Sequence, residues 1–399
     1  MQNKKIPFSP PDIREEDIKL VVETLKSGWI TTGPKVREFE KKIALYCGSE
    51  KAICLNSATA GLELVLRMFD IGPGDEVITT PYTFAATSNV IVHTGAKPVF
   101  VDVKKESFHI DPEGIEKAIS SRTKAIIPVD IGGFPCDYDE IYHVLKSKRK
   151  YRGKRGTLQN CFDRPIIIAD SAHSFGSSYK GKKIGNIADF TVFSFHAVKN
   201  LTTAEGGAIT FNSFQGLSSE EIYKRLSLLS LHGQSKDAYS KYTGNSWRYT
   251  IEIAGYKCNM TDIAASLGLS QLNRYDTEIL PSRKRIFEQY INLLKNDERF
   301  TLPYSNEFPS YHLFMLRIKN IKEKERDEII KKMAEKNIFL NVHFIPVVMQ
   351  PAYIKMGYNI KDFPNTYEMY RNEISLPVYT GLSSEDIELV CSNLKDCIR

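Results

Sequence analysis

Three short apolar runs between residues 166 and 211 constrain the fold of this chain more than any other feature. They are Ile166 to Asp170, Phe190 to Phe195 and Ala208 to Phe211, and polar or glycine-containing turns separate them. Runs of β-branched and aromatic residues with such boundaries are typical of buried strands. Similar runs alternate with helical patterns along much of the chain, which predicts an α/β fold with a mostly parallel sheet covered by helices.

Three polar side chains follow the ends of these strands. Asp170 ends the first run, His173 lies in the turn after it, and Lys199 follows the second run. Ligands of α/β sheets bind beyond the strand ends, so an acid and a lysine there can contact one ligand from two sides. Taken singly, the same residues are also typical of a helix-capping aspartate and a solvated surface lysine.

The acid and the lysine together suit one cofactor. A lysine amine forms a Schiff base with an aldehyde such as pyridoxal phosphate, and the ring nitrogen of that cofactor needs a carboxylate partner. The carboxylate keeps the ring nitrogen protonated, because a nearby opposite charge favours the charged form. We therefore expect Lys199 to be the Schiff-base lysine and Asp170 to be the partner of the ring nitrogen.

The composition excludes several classes of protein. The net charge of +6 over 399 residues suits an anionic ligand, but it is too small to indicate nucleic-acid binding. No run of eighteen apolar residues is present, so no membrane span is predicted, and the N-terminus lacks the apolar core of a signal peptide. The seven scattered cysteines show no Cys-x-x-Cys spacing, which predicts free thiols in a reducing cytoplasm and no metal site.

Three motifs around the predicted strands resemble one enzyme family. They are Asp-Ser-Ala-His-Ser from residue 170, Ser-Phe-His-Ala-Val-Lys-Asn from residue 194, and Thr-Thr-Ala-Glu-Gly-Gly-Ala from residue 202. Together they are similar to the DegT/DnrJ/EryC1/StrS family of pyridoxal phosphate-dependent nucleotide-sugar aminotransferases. The resemblance implies the aspartate aminotransferase-like fold type I, with a seven-stranded sheet. It also implies a large cofactor-binding domain over residues 1–250 and a smaller α+β domain with interface helices over residues 251–399.

The resemblance also assigns the cofactor site. The turn Asn-Ser-Ala-Thr-Ala-Gly from residue 56 joins a strand to a helix, where bare amides bind anions, although a simple serine N-cap explains it equally well. In the family this turn binds the cofactor phosphate, an aromatic residue stacks on the ring, and the residue at His173 braces the ring or its phenolic oxygen. The expected cofactor contacts are Ala58, Thr59, Ala60, Phe84, Asp170, His173, Ser194, Lys199, Lys257 and Asn259; the expected catalytic residues are Lys199, Asp170 and His173.

Further residues are expected at the substrate and at a second subunit. The loop Gly-Trp-Ile-Thr-Thr-Gly-Pro from residue 28 resembles a loop that the family uses at the rim of the substrate pocket. The segment from Tyr256 resembles one that reaches the cofactor phosphate of a neighbouring subunit, which implies a homodimer with active sites at the subunit interface. Either Lys257 or Asn259 could make that contact, because the family often has other residues at both positions. The expected substrate contacts are Trp29, Thr31, Thr32, His196 and His343.

The resemblance implies transfer of an amino group from an amino acid, with L-glutamate expected, to a keto-sugar nucleotide in polysaccharide or glycan precursor biosynthesis. The motifs are most similar to the branch that aminates C4 of UDP-4-keto-6-deoxy-hexosamines. One alternative is a pyridoxal phosphate-dependent sugar dehydratase, but those relatives replace the lysine by histidine. Another is a catalytically inactive regulatory protein of the same fold, against which the set Lys199, Asp170, Thr59 and Ser194 argues.

The chain departs from the family pattern at about residues 146–164, where a run rich in lysine and arginine precedes the Asp170 strand. A solvated surface loop is typical of such a run. A patch for an anionic surface or a partner is the alternative. Nucleic-acid binding would require interleaved recognition aromatics, which the run lacks.

Overall fold

The computed structural model describes residues 4–147, 151–235, 247–303 and 307–398. Its strands are β1 Lys51–Leu55, β2 Glu76–Thr79, β3 Lys97–Phe100, β4 Thr123–Ile127, β5 Ile166–Asp170, β6 Ser178–Tyr179, β7 Lys182–Lys183, β8 Phe190–Ser194, β9 Gly207–Phe211, β10 Phe300–Thr301, β11 Phe314–Ile318 and β12 Glu373–Leu376. Its helices are α1 Glu15–Lys26, α2 Pro34–Cys47, α3 Ala58–Met68, α4 Ala85–His93, α5 Pro112–Ala118, α6 Tyr138–Ser147, α7 Ser219–Ser230, α8 Asp262–Asn273, α9 Leu280–Leu294, α10 Glu323–Glu335, α11 Pro351–Lys355, α12 Pro364–Arg371 and α13 Ser384–Cys397.

Seven strands form the central sheet in the order β1-β9-β8-β5-β4-β2-β3. The pairings from β3 across to β8 are parallel, whereas β9 runs antiparallel to both β8 and β1. Every residue of β4, β5 and β9 is buried, as expected for strands covered by helices on both faces. The predicted mostly parallel, seven-stranded α/β sheet is confirmed.

The side chains of the sheet alternate between two apolar cores. In β5, Ile166 and Ile168 face one core, while Ile167 and Ala169 face the other. The first of these cores contains residues of α3, and the second contains residues of α2 and α8. β5 is apolar on both faces, and its only ionisable residue, Asp170, lies at its carboxyl end.

A third core lies in the C-terminal part of the chain. It is built from β11, β12, α9 and α13, with β10, β11 and β12 forming a separate antiparallel sheet. Ile6 of the N-terminal segment joins this core and pairs with Ile338. Helix α8 packs in the core of the large sheet, whereas the third core contains, besides Ile6, residues from Ile286 onward. The division of the chain at residue 250 stays a prediction.

The basic segment near residues 146–164 is partly anchored. Lys154 and Arg155 are exposed, whereas the buried Gln159 donates from Nε2 to the Phe69 carbonyl at 2.9 Å. Arg164 forms an ion pair with Asp189 at 2.7 Å. Residues 148–150 of the predicted basic run lie outside the described residues. Within the described ranges, no helix combines the length and the apolar character needed to cross a bilayer.

Candidate active site

The carboxyl ends of three strands meet at one edge of the central sheet. β5 and β8 are parallel neighbours. β1 points the same way as β8, because antiparallel β9 lies between them and reverses the direction twice. The edge therefore gathers Asp170 at the end of β5, the segment leading to Lys199 after β8, and the start of α3 after β1. A cavity of about 410 Å³ lies at this edge.

The structure brings most of the predicted site residues to this cavity. Those that line it are Ala58, Thr59, Phe84, Asp170, His173, Ser194, His196, Lys199 and His343. The predicted residues that do not line it are Ala60, Trp29, Thr31, Thr32, Lys257 and Asn259. The roles assigned to all of these residues stay predictions.

The carboxyl group of Asp170 is held in one orientation. Asp170 is buried, its Oδ2 accepts a hydrogen bond from the Thr87 hydroxyl at 2.7 Å, and its Oδ1 accepts one from the Ala172 amide at 3.3 Å. Burial raises the pKa of Asp170, while the two donors and the charge of Lys199 act to lower it. A buried carboxylate of this kind suits a cationic group placed in the cavity, such as a protonated ring nitrogen.

The amine of Lys199 is tuned toward the neutral form. Burial lowers the pKa of Lys199 to about 8, and the opposing charge of Asp170 limits the fall. The loop that carries it is fixed from several sides. The Lys199 amide donates to the His196 carbonyl at 2.9 Å, and the neighbouring Asn200 donates from Nδ2 to the Ser310 carbonyl at 2.7 Å. A positioned amine with a lowered pKa is the nucleophile that imine chemistry needs.

The N-terminus of α3 forms the third side of the site. Ser57 is the N-cap of α3, and its hydroxyl accepts a hydrogen bond from the Ala60 amide at 3.1 Å. The Ala60 amide, which was predicted to bind phosphate, therefore already has an acceptor in the structure. Ala58 and Thr59 are the first helical residues, where amides have no intrahelical acceptor. A Cβ on Gly207 would lie 2.5 Å from the Ala58 nitrogen, so only glycine lets β9 approach the turn. This helix end is suited to an anion.

Two neutral imidazoles stand side by side at the cavity. The Gly132 amide donates to Nδ1 of His173 at 3.1 Å, which leaves the proton of the neutral ring on Nε2. Nδ1 of His312 lies 2.9 Å from Oδ1 of Asn200 and donates to it. The ring centroids are 4.6 Å apart. Burial lowers the pKa of both rings well below the usual range, with the charge of Lys199 acting in the same direction.

The N-terminal segment, residues 4–12, contributes to the cavity although no sequence pattern marks it. Phe8 and Ser9 line the cavity; Phe8 stacks on His343 with ring centroids 5.3 Å apart, and the Ser9 hydroxyl donates to the Val198 carbonyl at 3.3 Å. Neither residue belongs to a periodic pattern, so only the fold reveals their position. His312 and Glu205 also line the cavity and were not predicted, although Glu205 lies within one of the family motifs.

Phe84 and His196 lie at the open side of the cavity. Phe84 is 62% exposed, and its ring centroid is 5.7 Å from that of Phe344. The exposed His196 has its Nε2 3.6 Å from Oε1 of Glu205. An exposed aromatic ring at a cavity mouth suits stacking on a flat ligand.

Apart from Ala60, the predicted residues outside the cavity form a surface cluster of their own: Trp29, Thr31, Thr32, Lys257 and Asn259. Nδ2 of Asn259 donates to the Thr32 hydroxyl at 2.5 Å, and Lys257 donates from Nζ to the Asn259 side chain. Nε1 of Trp29 donates to the Thr32 carbonyl at 3.2 Å, and Thr31 accepts a hydrogen bond at its carbonyl. The two loops that carry a substrate prediction and a partner-subunit prediction are therefore joined in one place.

Comparison with known proteins decides the family. The family model described as the DegT/DnrJ/EryC1/StrS aminotransferase family matches residues 11–395. The chain belongs to this family. The spore coat polysaccharide biosynthesis protein SpsC of Bacillus subtilis is 40% identical over 100% of this chain and 98% of its own length. The UDP-4-amino-4-deoxy-L-arabinose–oxoglutarate aminotransferase of Shewanella sediminis is 37% identical over 100% of this chain and 99% of its own length.

A solved structure supports the same assignment. Spr1654 of Streptococcus pneumoniae in its PLP form has a TM-score of 0.94 and 44% identity, covering 99% of each chain. The predictions of the family, the fold, a sugar aminotransferase and pyridoxal phosphate as its cofactor are confirmed. The cavity fits that cofactor, because a buried carboxylate, a lysine amine and a helix N-terminus border it on different sides.

Proposed function

We propose that this aminotransferase of the family transfers an amino group from L-glutamate to a UDP-linked 4-keto-6-deoxy-hexosamine, in the synthesis of polysaccharide or glycan precursors. The name of the Shewanella relative supports UDP, an amine at C4 and oxoglutarate as the deaminated partner of glutamate. The name of SpsC supports polysaccharide synthesis. The observation that carries the proposal is that Asp170, Lys199 and the N-terminus of α3 border one cavity.

We assign the cofactor contacts residue by residue. Asp170 would pair with the ring nitrogen, because a buried carboxylate stabilises a nearby cation. Thr59, the Ala58 amide and the Ser194 hydroxyl would hold the phosphate at the start of α3. Phe84 and His173 would contact the ring. A Cβ on Gly207 would lie 2.5 Å from the Ala58 nitrogen, so this turn packs close to β9, which supports a phosphate site at this edge of the sheet.

The chemistry is shared between the cofactor and the chain. When bound, pyridoxal phosphate supplies the electron sink that lets a bond at the donor Cα break. Lys199 Nζ, with its pKa near 8, holds a proton weakly enough to take one from the donor Cα and to return it in the second half of the reaction. The buried, neutral imidazoles of His173 and His312 orient ligand groups without adding charge.

We further propose a homodimer with active sites at the subunit interface. α1 exposes Ile18, Val22 and Leu25, and the extended segment after residue 246 exposes Trp247 at 80% and Ile251 at 57%. Contiguous exposed apolar side chains are typical of interaction surfaces. The surface cluster of Trp29, Thr31, Thr32, Lys257 and Asn259 follows these two segments in the sequence. In the proposed dimer, Lys257 or Asn259 would reach the partner's cofactor phosphate, and the Trp29 loop would reach the substrate.

We also propose a reducing compartment, the cytoplasm, for the protein. All seven cysteines are free thiols, and six of them are buried. Free cysteines at this number are typical of compartments in which thiols stay reduced.

A substrate panel tests the proposed function. The protein loaded with pyridoxal phosphate is given L-glutamate and UDP-, dTDP- or GDP-linked 4-keto-6-deoxy sugars, and 2-oxoglutarate and the amino sugar are quantified by mass spectrometry. We expect the UDP-linked hexosamine to be aminated fastest, at C4, with L-glutamate preferred over L-aspartate and L-glutamine. Amination at C3, or a faster rate with a dTDP- or GDP-linked sugar, would contradict the substrate assignment. A Lys199→Ala protein is the blank.

A further inference from the structure

A row of hydrogen-bonded side chains leads from the cavity wall into the C-terminal core. Nδ1 of His343, which lines the cavity, lies 2.9 Å from the hydroxyl oxygen of Ser375. That hydroxyl oxygen lies 2.5 Å from Oε1 of Glu373, and Oε2 of Glu373 accepts the His343 amide at 3.0 Å. Glu373 and Ser375 are both 0% exposed, so water does not reach either group. His343, Ser375 and Glu373 are called the relay below.

The register of β12 builds the relay. Glu373 and Ser375 are two residues apart in this strand, so their side chains share one face. Asn341 pairs with Ser375 as an antiparallel neighbour, which places His343 beside Glu373. The main-chain carbonyl of Glu373 accepts a hydrogen bond from Nη1 of Arg326 at 3.2 Å. Because this carbonyl is already bonded to Arg326, the His343 amide donates to the side chain of Glu373 and not to its main chain.

Two proton arrangements satisfy every group of the relay. With Glu373 ionised, the Ser375 hydroxyl donates to Oε1 and accepts from Nδ1 of His343, so Nε2 of His343 is an acceptor. With Glu373 protonated at Oε1, that proton is donated to Ser375, the Ser375 hydroxyl donates to Nδ1, and Nε2 of His343 carries the proton. The two arrangements use the same heavy-atom positions and differ by one proton.

The surroundings decide where an added proton resides. Burial raises the pKa of Glu373 to about 8, while Ser375, the His343 amide and the charge of Arg326 oppose the rise. Burial lowers the pKa of His343 to about 3, and the charge of Lys199 acts in the same direction. Tyr82 also faces Glu373, and its own raised pKa keeps it neutral. The imidazole therefore stays uncharged, and an added proton is held by Glu373.

We propose that Glu373 and Ser375 are positioning residues that set which ring nitrogen of His343 carries a proton, and so whether His343 accepts a proton from a cavity ligand or donates one to it. When Nε2 takes a proton from the ammonium of the amino donor, the Nδ1 proton passes to Ser375 and the Ser375 proton passes to Oε1 of Glu373. One proton enters the relay and one is stored on Glu373. The reverse sequence delivers a proton to the carbonyl oxygen of the acceptor. This function of the relay depends on the proposed function.

The tautomer of His343 is measured directly by ¹⁵N NMR of the protein loaded with pyridoxal phosphate, with the ring signals assigned by their loss in a His343→Gln protein. In the wild type we expect the proton to lie on Nε2 below the titration of Glu373 and on Nδ1 above it, with a midpoint near pH 8. In Glu373→Gln the amide oxygen replaces Oε2 as acceptor and the amide nitrogen donates to Ser375. The His343 proton should then remain on Nε2 at every pH.

Glu40→Gln is the matched control. Glu40 is also buried, and it also accepts one main-chain amide, from Cys54 at 2.8 Å, and one hydroxyl, from Tyr223 at 2.8 Å. It does not line the cavity. We expect Glu373→Gln to lower kcat by about tenfold to a hundredfold, the size typical of lost proton transfer. Glu40→Gln should leave kcat and the His343 tautomer as in the wild type.

Three outcomes overturn the proposal: a wild-type tautomer that does not change with pH, a Glu373→Gln protein whose tautomer still switches, or an equal loss of kcat in Glu40→Gln. If Glu373→Gln does not fold, Ser375→Ala replaces it, because it interrupts the relay with Glu373 present and should abolish the switch near pH 8. The NMR result does not require turnover. A panel in which no keto sugar is aminated while the tautomer switches would remove the proposed function and leave the relay standing.

Discussion

The cavity around Lys199 and the surface cluster of Trp29, Thr31, Thr32, Lys257 and Asn259 were both predicted to serve one reaction, yet the fold treats them differently. The cavity is assembled within a single chain, because β5, β8 and β1 end at the same edge of the sheet. The surface cluster lies outside that cavity, and its polar groups bond to one another.

The difference shows which predictions a single chain can support. Residues at the ends of parallel strands converge because the sheet itself brings them together. Loop residues have no such constraint, and the polar groups of the surface cluster bond to one another. Substitutions in the cavity should therefore act within one chain, whereas substitutions in the surface cluster need a second chain to reveal their effect.

The largest effect is expected in the cavity, from removing the amine of Lys199. Lys199→Ala is expected to lower transamination by about 10³-fold or more, since proton transfer and cofactor attachment both depend on this group. The visible absorbance of attached pyridoxal phosphate should disappear as well. Lys180→Ala, at a surface ion pair with Asp139, is the control and should keep both properties. Retained absorbance in Lys199→Ala would show that another amine holds the cofactor.

Removing the charge of Asp170 should shift the pH at which pyridoxal phosphate attaches to Lys199. The negative charge of Asp170 raises the pKa of Lys199, so Asp170→Asn should shift the midpoint for covalent attachment of pyridoxal phosphate from about pH 8 to a lower pH. The rate of transamination should fall by about 10²-fold, as for other lost electrostatic contacts. Attachment is followed by absorbance in stopped flow.

Asp111→Asn is the control for that experiment. Asp111 is the N-cap of α5 and accepts from the Glu113 amide, so it represents the helix-capping role that a lone aspartate suggests. We expect no change in the midpoint in this protein. An upward shift in Asp170→Asn would contradict the sign of the interaction between Asp170 and Lys199.

Mixed dimers test whether the surface cluster acts on a second chain. A chain with both Lys257→Ala and Asn259→Ala should lose about tenfold to a hundredfold in activity, the cost of charged hydrogen bonds to phosphate. Co-expression with a Lys199→Ala chain should restore activity to about a quarter of the wild type, because half of the random dimers then hold one intact site. If the mixture stays as inactive as its parents, the cluster serves its own chain.

The smallest effect is expected at the N-terminal segment. Phe8→Ala removes the ring that stacks on His343, so the KM for the keto-sugar nucleotide should rise by about threefold to tenfold with kcat nearly unchanged. Lys5→Ala, outside the cavity lining, is the control. A fall in kcat with an unchanged KM would place Phe8 in the chemical step and not in substrate binding.

The sequence predicted the position of a site residue well where a single strand or turn determines that position. The apolar runs predict β5, β8 and β9, which places Asp170 at the end of β5 and Lys199 in the loop after β8, near one edge of the sheet. Family motifs added Thr59 and Ser194. The Ala60 amide donates to the Ser57 hydroxyl, the usual bond of a serine N-cap to the third helical amide, and its contact with phosphate stays a prediction. That preference is local, and the turn sequence already contained Ser57.

The sequence by itself determined the strands of the sheet and, through the family motifs that it resembles, the cofactor, because strand periodicity and turn motifs act over short stretches of chain. Only the tertiary structure decided that Phe8 covers His343, that His312 stands beside His173, and that Glu373 bonds His343 through Ser375. Those contacts bring together residues that lie far apart along the chain. Such neighbours are set by how the cores pack, and no local pattern carries that information.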